Sequence, residues 1–166
     1  MRALVLTGPP GAGKTTTLTA LMGRLEAAGA RFAAVEVEAL ALVHPWPDDD
    51  AAFEHLAFVA ASFARRGYPL LLASATVTGP AYLARVRAAL ATDDVLLVAL
   101  VAQPEVLRRR IAEREPPDWV GLPRLLEAAS ALGEATRTLP GADLVLDTNE
   151  LAPGQVIAAI AAALGR

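Results

Sequence analysis

The chain has no cysteine. That excludes disulfides, thiolate metal sites and cysteine nucleophiles together, and it leaves the redox compartment open. Histidine is scarce as well, with only His44 and His55, and neither falls in a triad or metalloprotease motif. Zinc and triad hydrolase chemistry therefore find no support. Although 54% of the residues are hydrophobic, no run approaches the ~18 uncharged apolar residues of a membrane span, so no membrane is expected. The opening segment Met1-Arg2-Ala3-Leu4-Val5-Leu6 is too short for a signal h-region and leads directly into a glycine loop, so a cytoplasmic location is expected. A net charge of -3 argues against a broad surface for nucleic acid. Lysine is nearly absent too: of the 15 basic residues only Lys14 is a lysine, and it stands where a compact ammonium would meet phosphate oxygens.

What is present is a repeated βα pattern over 166 residues, a length suited to one domain, 1–166. Strands are expected at about Ala3 to Thr7, Phe32 to Glu38, Leu70 to Ala75, Val95 to Val101 and Ala142 to Asp147. Helices are expected at about Lys14 to Ala28, Ala51 to Arg66, Ala81 to Ala91, Pro104 to Glu115, Pro123 to Thr136 and Pro153 to Leu164. In the second of these Phe53, Leu56, Val59, Ala60 and Phe63 share an apolar face. The run Leu70 to Ala75 lacks polar alternation and suits a parallel strand covered on both faces. The expected fold class is α/β, a doubly wound five-stranded parallel sheet with helices on both faces.

The segment Gly8-Pro9-Pro10-Gly11-Ala12-Gly13-Lys14-Thr15 meets the pattern G-x-x-x-x-G-K-[ST] in full, between an apolar strand and a helical pattern. Glycines allow close backbone approach, so successive N–H groups of such a loop, extended by Thr16, can point at phosphate oxygens, aided by the positive helix N-terminus. Lys14 is expected on the β- and γ-phosphates of ATP, and Thr15 with its hydroxyl on Mg²⁺. The guanine motif Asn-Lys-x-Asp is missing, which disfavours GTP, and the length leaves no room for the lid domain of a large ATPase motor.

With that loop, Glu38 after the second strand, the segment Val106-Leu107-Arg108-Arg109-Arg110-Ile111-Ala112-Glu113-Arg114, and Asp147-Thr148 followed by Pro153, the chain resembles the small kinase-like P-loop proteins. These include shikimate, gluconate and chloramphenicol kinases, with a likeness to AAA-family ATPases. The resemblance covers essentially the whole length. It implies an arginine-bearing lid, here about residues 108–121, and transfer of the ATP γ-phosphoryl group to a small hydroxylated acceptor. It further implies that Glu38 orients or deprotonates the acceptor hydroxyl, where relatives usually have aspartate. Adenine would lie between Arg110 and the segment Asp147 to Pro153.

Glu36 and Glu38 stand two apart and on a strand would share one face near the carboxyl end, where α/β sheets bind ligands; the alternative is a pair of exposed strand-end charges. Arg110 and Arg114 lie four apart and face one way on a helix, as a pair closing over phosphates requires, whereas Arg108 and Arg109 point elsewhere, with Arg109 free to pair with Glu113. The third strand ends without an acid, so Ser74 or Thr76 is left to orient a metal-bound water. His44, Trp46 and His55 fall in the segment that in the kinases the chain resembles contributes to acceptor binding, where Trp46 between two prolines could form a stacking wall, but structural roles are favoured for them. Asp48-Asp49-Asp50 is expected to favour the N-terminus of the following helix and Trp119 to anchor the lid. The expected function is a small-molecule phosphotransferase, monomer or homodimer; the alternative, suggested by the missing acid, is an accessory or regulatory NTPase without a dedicated acceptor.

Overall fold

Strand residues sort by parity into two apolar layers, and this sets the architecture. The structure, a computed structural model, describes residues 1–44 and 49–165. β1 (Arg2–Thr7) sends Ala3 and Val5 to one face of the sheet and Leu4 and Leu6 to the other. β3 (Leu70–Ala75) and β4 (Val95–Val101) alternate likewise, with Leu71, Ala73 and Leu97 on the first face and Leu72, Val98 and Leu100 on the second. With β2 (Ala33–Glu36) and β5 (Leu144–Asp147) they form a five-stranded sheet of order β2-β3-β1-β4-β5. Every pairing is parallel, with Glu36 opposite Ser74 and Thr7 opposite Ala75. A parallel sheet needs both faces covered, which is why these strands read as near-continuous apolar runs.

The first face carries α2 (Asp49–Arg65) and α3 (Pro80–Leu90), through Phe53, Leu56, Ala60, Leu83 and Val86. The second carries α1 (Lys14–Ala27), α4 (Pro104–Arg114), α5 (Leu122–Arg137) and α6 (Pro153–Leu164), through Leu18, Leu21, Leu107, Ile111, Ala129, Val156 and Ile160. Among the described residues no helix is long and apolar enough to cross a membrane. Because β1 leads to α1 on one face and the neighbouring β3 leads to α3 on the other, the carboxyl ends of these two strands diverge. Such a switch point opens a crevice for ligands.

Helix limits follow the expected ones to within two residues, the usual scatter at frayed ends. Proline marks several of them. Pro104 opens α4, and Glu115, the residue before Pro116-Pro117, is extended at φ -89°, ψ 146°, as a residue preceding proline must be, so α4 stops at Arg114. One expectation is corrected: β2 ends at Glu36, and Val37–Ala41 is a 3₁₀ helix, so Glu38 is not on a strand and does not share a strand face with Glu36. Val37 is fully buried and packs on α2 and β3, and burying it there turns the chain out of the sheet one residue after Glu36. β5 is also shorter than expected, starting at Leu144: the Ala142 N–H donates into the turn before it, to the Leu139 carbonyl, and Asp143 accepts the Leu97 N–H of β4 with its side chain rather than its backbone.

Candidate active site

The loop between β1 and α1 owes its path to glycine. At Gly11 φ is +82°, and a Cβ would lie 2.8 Å from the carbonyl oxygen of Leu107 in α4; at Gly8 a Cβ would lie 2.6 Å from the carbonyl oxygen of Leu100 in β4. The loop thus lies directly on α4 and β4, and no side chain fits between. Pro9 and Pro10 have no N–H, and the N–H of Ala12 donates to the Pro9 carbonyl at 3.1 Å. Gly13, the N-cap of α1, offers no side-chain cap. The first-turn N–H groups of Lys14, Thr15 and Thr16 have no carbonyl four residues back within the helix, so they are donors for an anion.

Lys14 Nζ donates to the carbonyls of Gly8 at 2.8 Å and Pro9 at 3.4 Å. Burial pulls its pKa below the ordinary lysine value; Glu38 raises it, Arg114 lowers it further and Glu36 raises it, and burial wins. Thr15 Oγ1 donates to Glu36 Oε1 at 2.9 Å. Glu38 Oε1 accepts from the backbone N–H of Thr76, just past β3. Glu36 and Glu38 therefore reach the same crevice by different routes, one from a strand end and one from the 3₁₀ helix.

Two cavities meet at this loop. The larger, about 500 Å³, is lined by Gly11, Ala12, Gly13 and Thr16 together with Arg110, Arg114, Thr148, Leu151, Pro153 and Val156. The smaller, about 270 Å³, is lined by Pro9, Pro10, Lys14, Thr15, Glu36, Glu38, Ser74 and Thr76. Gly11, Gly13, Thr16 and Arg114 line both. Arg110 is fixed on the larger cavity's wall, donating to Thr148 Oγ1 at 2.9 Å and to the Thr148 carbonyl at 2.8 Å. Arg114 is held by Glu115, whose Oε1 accepts from Nε at 2.7 Å and lies 2.6 Å from Nη2.

Most of the residues singled out from sequence thus surround one crevice. Asp147 does not line either cavity: its carboxylate accepts from the Asn149 N–H at 2.9 Å and pairs with Arg137 at 3.3 Å, bracing the turn that carries Thr148. Arg109 pairs with Glu113 at 4.0 Å. His55 Nδ1 lies 2.7 Å from the Leu40 carbonyl and ties α2 to the 3₁₀ helix, His44 is exposed, and Trp46 and Asp48 lie outside the described residues. The Trp119 ring lies against Gly121 in the turn between α4 and α5 and is 45% exposed. Sequence reasoning missed Glu36 as the partner of Thr15, because the acid beside the loop was sought after β3. The register Glu36 to Ser74, with β2 next to β3, supplies it from β2.

A family model described as an AAA domain matches residues 4–129, more than half of the chain. The chain belongs to this AAA domain family. Comparison with curated proteins gives no match. Among solved structures the AAA domain chain is similar to an unliganded sugar kinase from a Janibacter species, at 23% identity and TM-score 0.71, over 99% of this chain and 95% of that one. It is similar to the Mycobacterium tuberculosis APS kinase in complex with AMPPNP and APS, at 16% identity and TM-score 0.71, over 99% and 98%. It is also similar to a gluconokinase from Sinorhizobium meliloti, at 20% identity and TM-score 0.65, over 99% and 92%. The shared property is the small P-loop kinase fold.

Proposed function

We propose that this chain is an ATP-dependent phosphotransferase acting on a small hydroxylated molecule. The observation that carries the reading is the meeting of two cavities on one phosphate loop, with Arg114 on the wall of both. A nucleotide entering by the larger cavity would present its terminal phosphate at the seam, and an acceptor in the smaller one would approach it from the far side. The likeness in fold to sugar, gluconate and APS kinases supports the same reading.

In this reading Gly8 to Thr16 cradle the phosphates. Adenine lies between Arg110 and the segment from Thr148 to Pro153, with Asp147 shaping that turn rather than touching the base. Residues 108–121 act as the lid. The hydroxyl of Thr15 and the carboxylate of Glu36 are hard oxygen donors side by side, a set that fits Mg²⁺ held mainly by phosphates and water. Bound there, Mg²⁺ would neutralise charge on the phosphate oxygens. Glu38, one oxygen fixed by the Thr76 N–H, keeps the other for the acceptor hydroxyl. As the acceptor oxygen bonds to the γ-phosphorus, its proton passes to Glu38 and the bond to the β-phosphate oxygen breaks, releasing ADP. Arg114 and Lys14 stabilise the charge that develops on the transferring group.

The test is a pair of variants. Glu38→Gln should retain ATP affinity and stability yet lower acceptor-dependent turnover by ~10²–10⁴-fold, the loss expected for a general base, while slow hydrolysis survives. Arg114→Ala should depress both reactions, because the charge appears whichever oxygen attacks. If Glu38→Gln leaves turnover of every accepted substrate unchanged, the acceptor-side assignment is wrong. If no acceptor stimulates ATP consumption by the wild type, an accessory NTPase replaces the phosphotransferase.

A further inference from the structure

We infer that the phosphoryl acceptor carries no carboxylate or phosphate group and is an uncharged or amine-bearing alcohol. This rests on the phosphotransferase reading and gives it a substrate class. The acids lining the smaller cavity, Glu36 and Glu38, and the composition of the chain segments that supply them and Ser74 and Thr76 carry the inference. Residues 32–64, from the start of β2 almost to the end of α2, contain Glu36, Glu38, Asp48, Asp49, Asp50 and Glu54 and not one lysine or arginine. Residues 67–84, from before β3 into α3, contain no charged side chain at all.

The nearest cations outside those stretches lie off the cavity's lining or are paired. Arg65 and Arg66 lie at the end of α2 that leads into the start of β3, away from the carboxyl ends of the strands, and there the Arg66 carbonyl accepts from Arg31 at 3.4 Å. Arg85 pairs with Asp50 and lies over the Phe53 ring, 4.1 Å from its centroid. Among the described residues the cations lining the smaller cavity are Lys14 and Arg114. Both face the phosphate loop, and an anionic acceptor would have to take them from the triphosphate.

A carboxylate or phosphate entering this cavity would lose water, meet Glu36 and Glu38, and gain no arginine or lysine of its own. Buried anions are retained only with such a partner, and like charges brought together in a cavity repel more strongly than in water. A hydroxyl needs only acceptors and donors, which Glu38, Ser74 and Thr76 supply, and an ammonium would be attracted by the same acids that repel a carboxylate. The acidic wall thus selects against one class and tolerates two others.

The experiment measures ADP release by the full chain with Mg-ATP across a library of hydroxylated metabolites, half of them anionic. The library includes matched sets such as glucose, glucosamine and gluconate, or a nucleoside and its 5′-monophosphate. Each stimulating compound is checked for a phosphorylated product. The expected result is that every strong stimulator is neutral or amine-bearing, and that within a matched set kcat/KM for the anionic member is at least ~10-fold lower. An anionic compound as the best acceptor overturns the inference and leaves phosphotransfer standing. No stimulation by any compound, while calorimetry still shows ATP binding, overturns the phosphotransferase reading and this inference with it.

Discussion

Thr15 and Glu36 show how one pair of side chains can change what a motif implies. Without an acid at the end of β3 the loop lacks the usual carboxylate beside its threonine, but Glu36, one strand further out, reaches Thr15 at 2.9 Å. If Glu36 supports Mg²⁺, Glu36→Gln should retain the fold, because the residue is half-exposed at a strand end, and should raise the Mg²⁺ concentration needed for half-maximal ATP turnover by roughly 10-fold or more, at least the loss that even outer-shell metal partners cause. An unchanged Mg²⁺ requirement would leave Glu36 as a structural partner of Thr15. Lys14 carries a second prediction at this scale. Its pKa is lower folded than unfolded, so charging it opposes folding: the penalty is fully present below the folded value and is relieved as pH rises from that value toward the ordinary 10.5. Relative to Lys14→Met, the ligand-free wild type should therefore gain stability in urea unfolding as pH rises toward 10.5. A relative loss over that rise would contradict the burial that is held to dominate.

At the scale of the element, what was legible in sequence was whatever local chemistry decides. The glycine loop, the buried runs of β1, β3 and β4, and the Pro-limited α4 all lay within a residue or two of their expected places, because period, turn residues and proline act on the chain nearby. The end of β2 was not legible. Phe32 to Glu38 reads as a strand by its alternation, and only the burial of Val37 against α2 and β3, a tertiary contact, bends the chain into a 3₁₀ helix after Glu36. The partner of Asp147 was not legible either, since Arg137 comes from the end of α5. The contact of α4 with the phosphate loop is equally non-local and gives a prediction. Leu107 is fully buried, and its backbone lies against Gly11. Leu107→Ala should cost ~2–5 kcal/mol in stability, the range for such a truncation, and should also weaken ATP binding by loosening the loop. Denaturant titration with parallel ATP titrations would check both, and weakened stability with unchanged ATP affinity would uncouple α4 from the loop.

For the whole molecule, the sheet order places β1 and β3 side by side with their following helices on opposite faces, so the crevice, the phosphate loop and the acidic pair Glu36 and Glu38 occur together at one edge of the core. Fold and site arise from the same arrangement. Everything proposed for the reaction depends on that crevice holding the triphosphate of ATP through Lys14, the chain's single lysine. Isothermal titration of Mg-ATP into the wild type and into Lys14→Ala tests this most directly. The expected result is one-to-one binding by the wild type and an affinity at least ~10-fold lower in the variant, equivalent to ~1.4 kcal/mol, with no loss of melting temperature in the absence of nucleotide. Equal affinities in two folded proteins would contradict it.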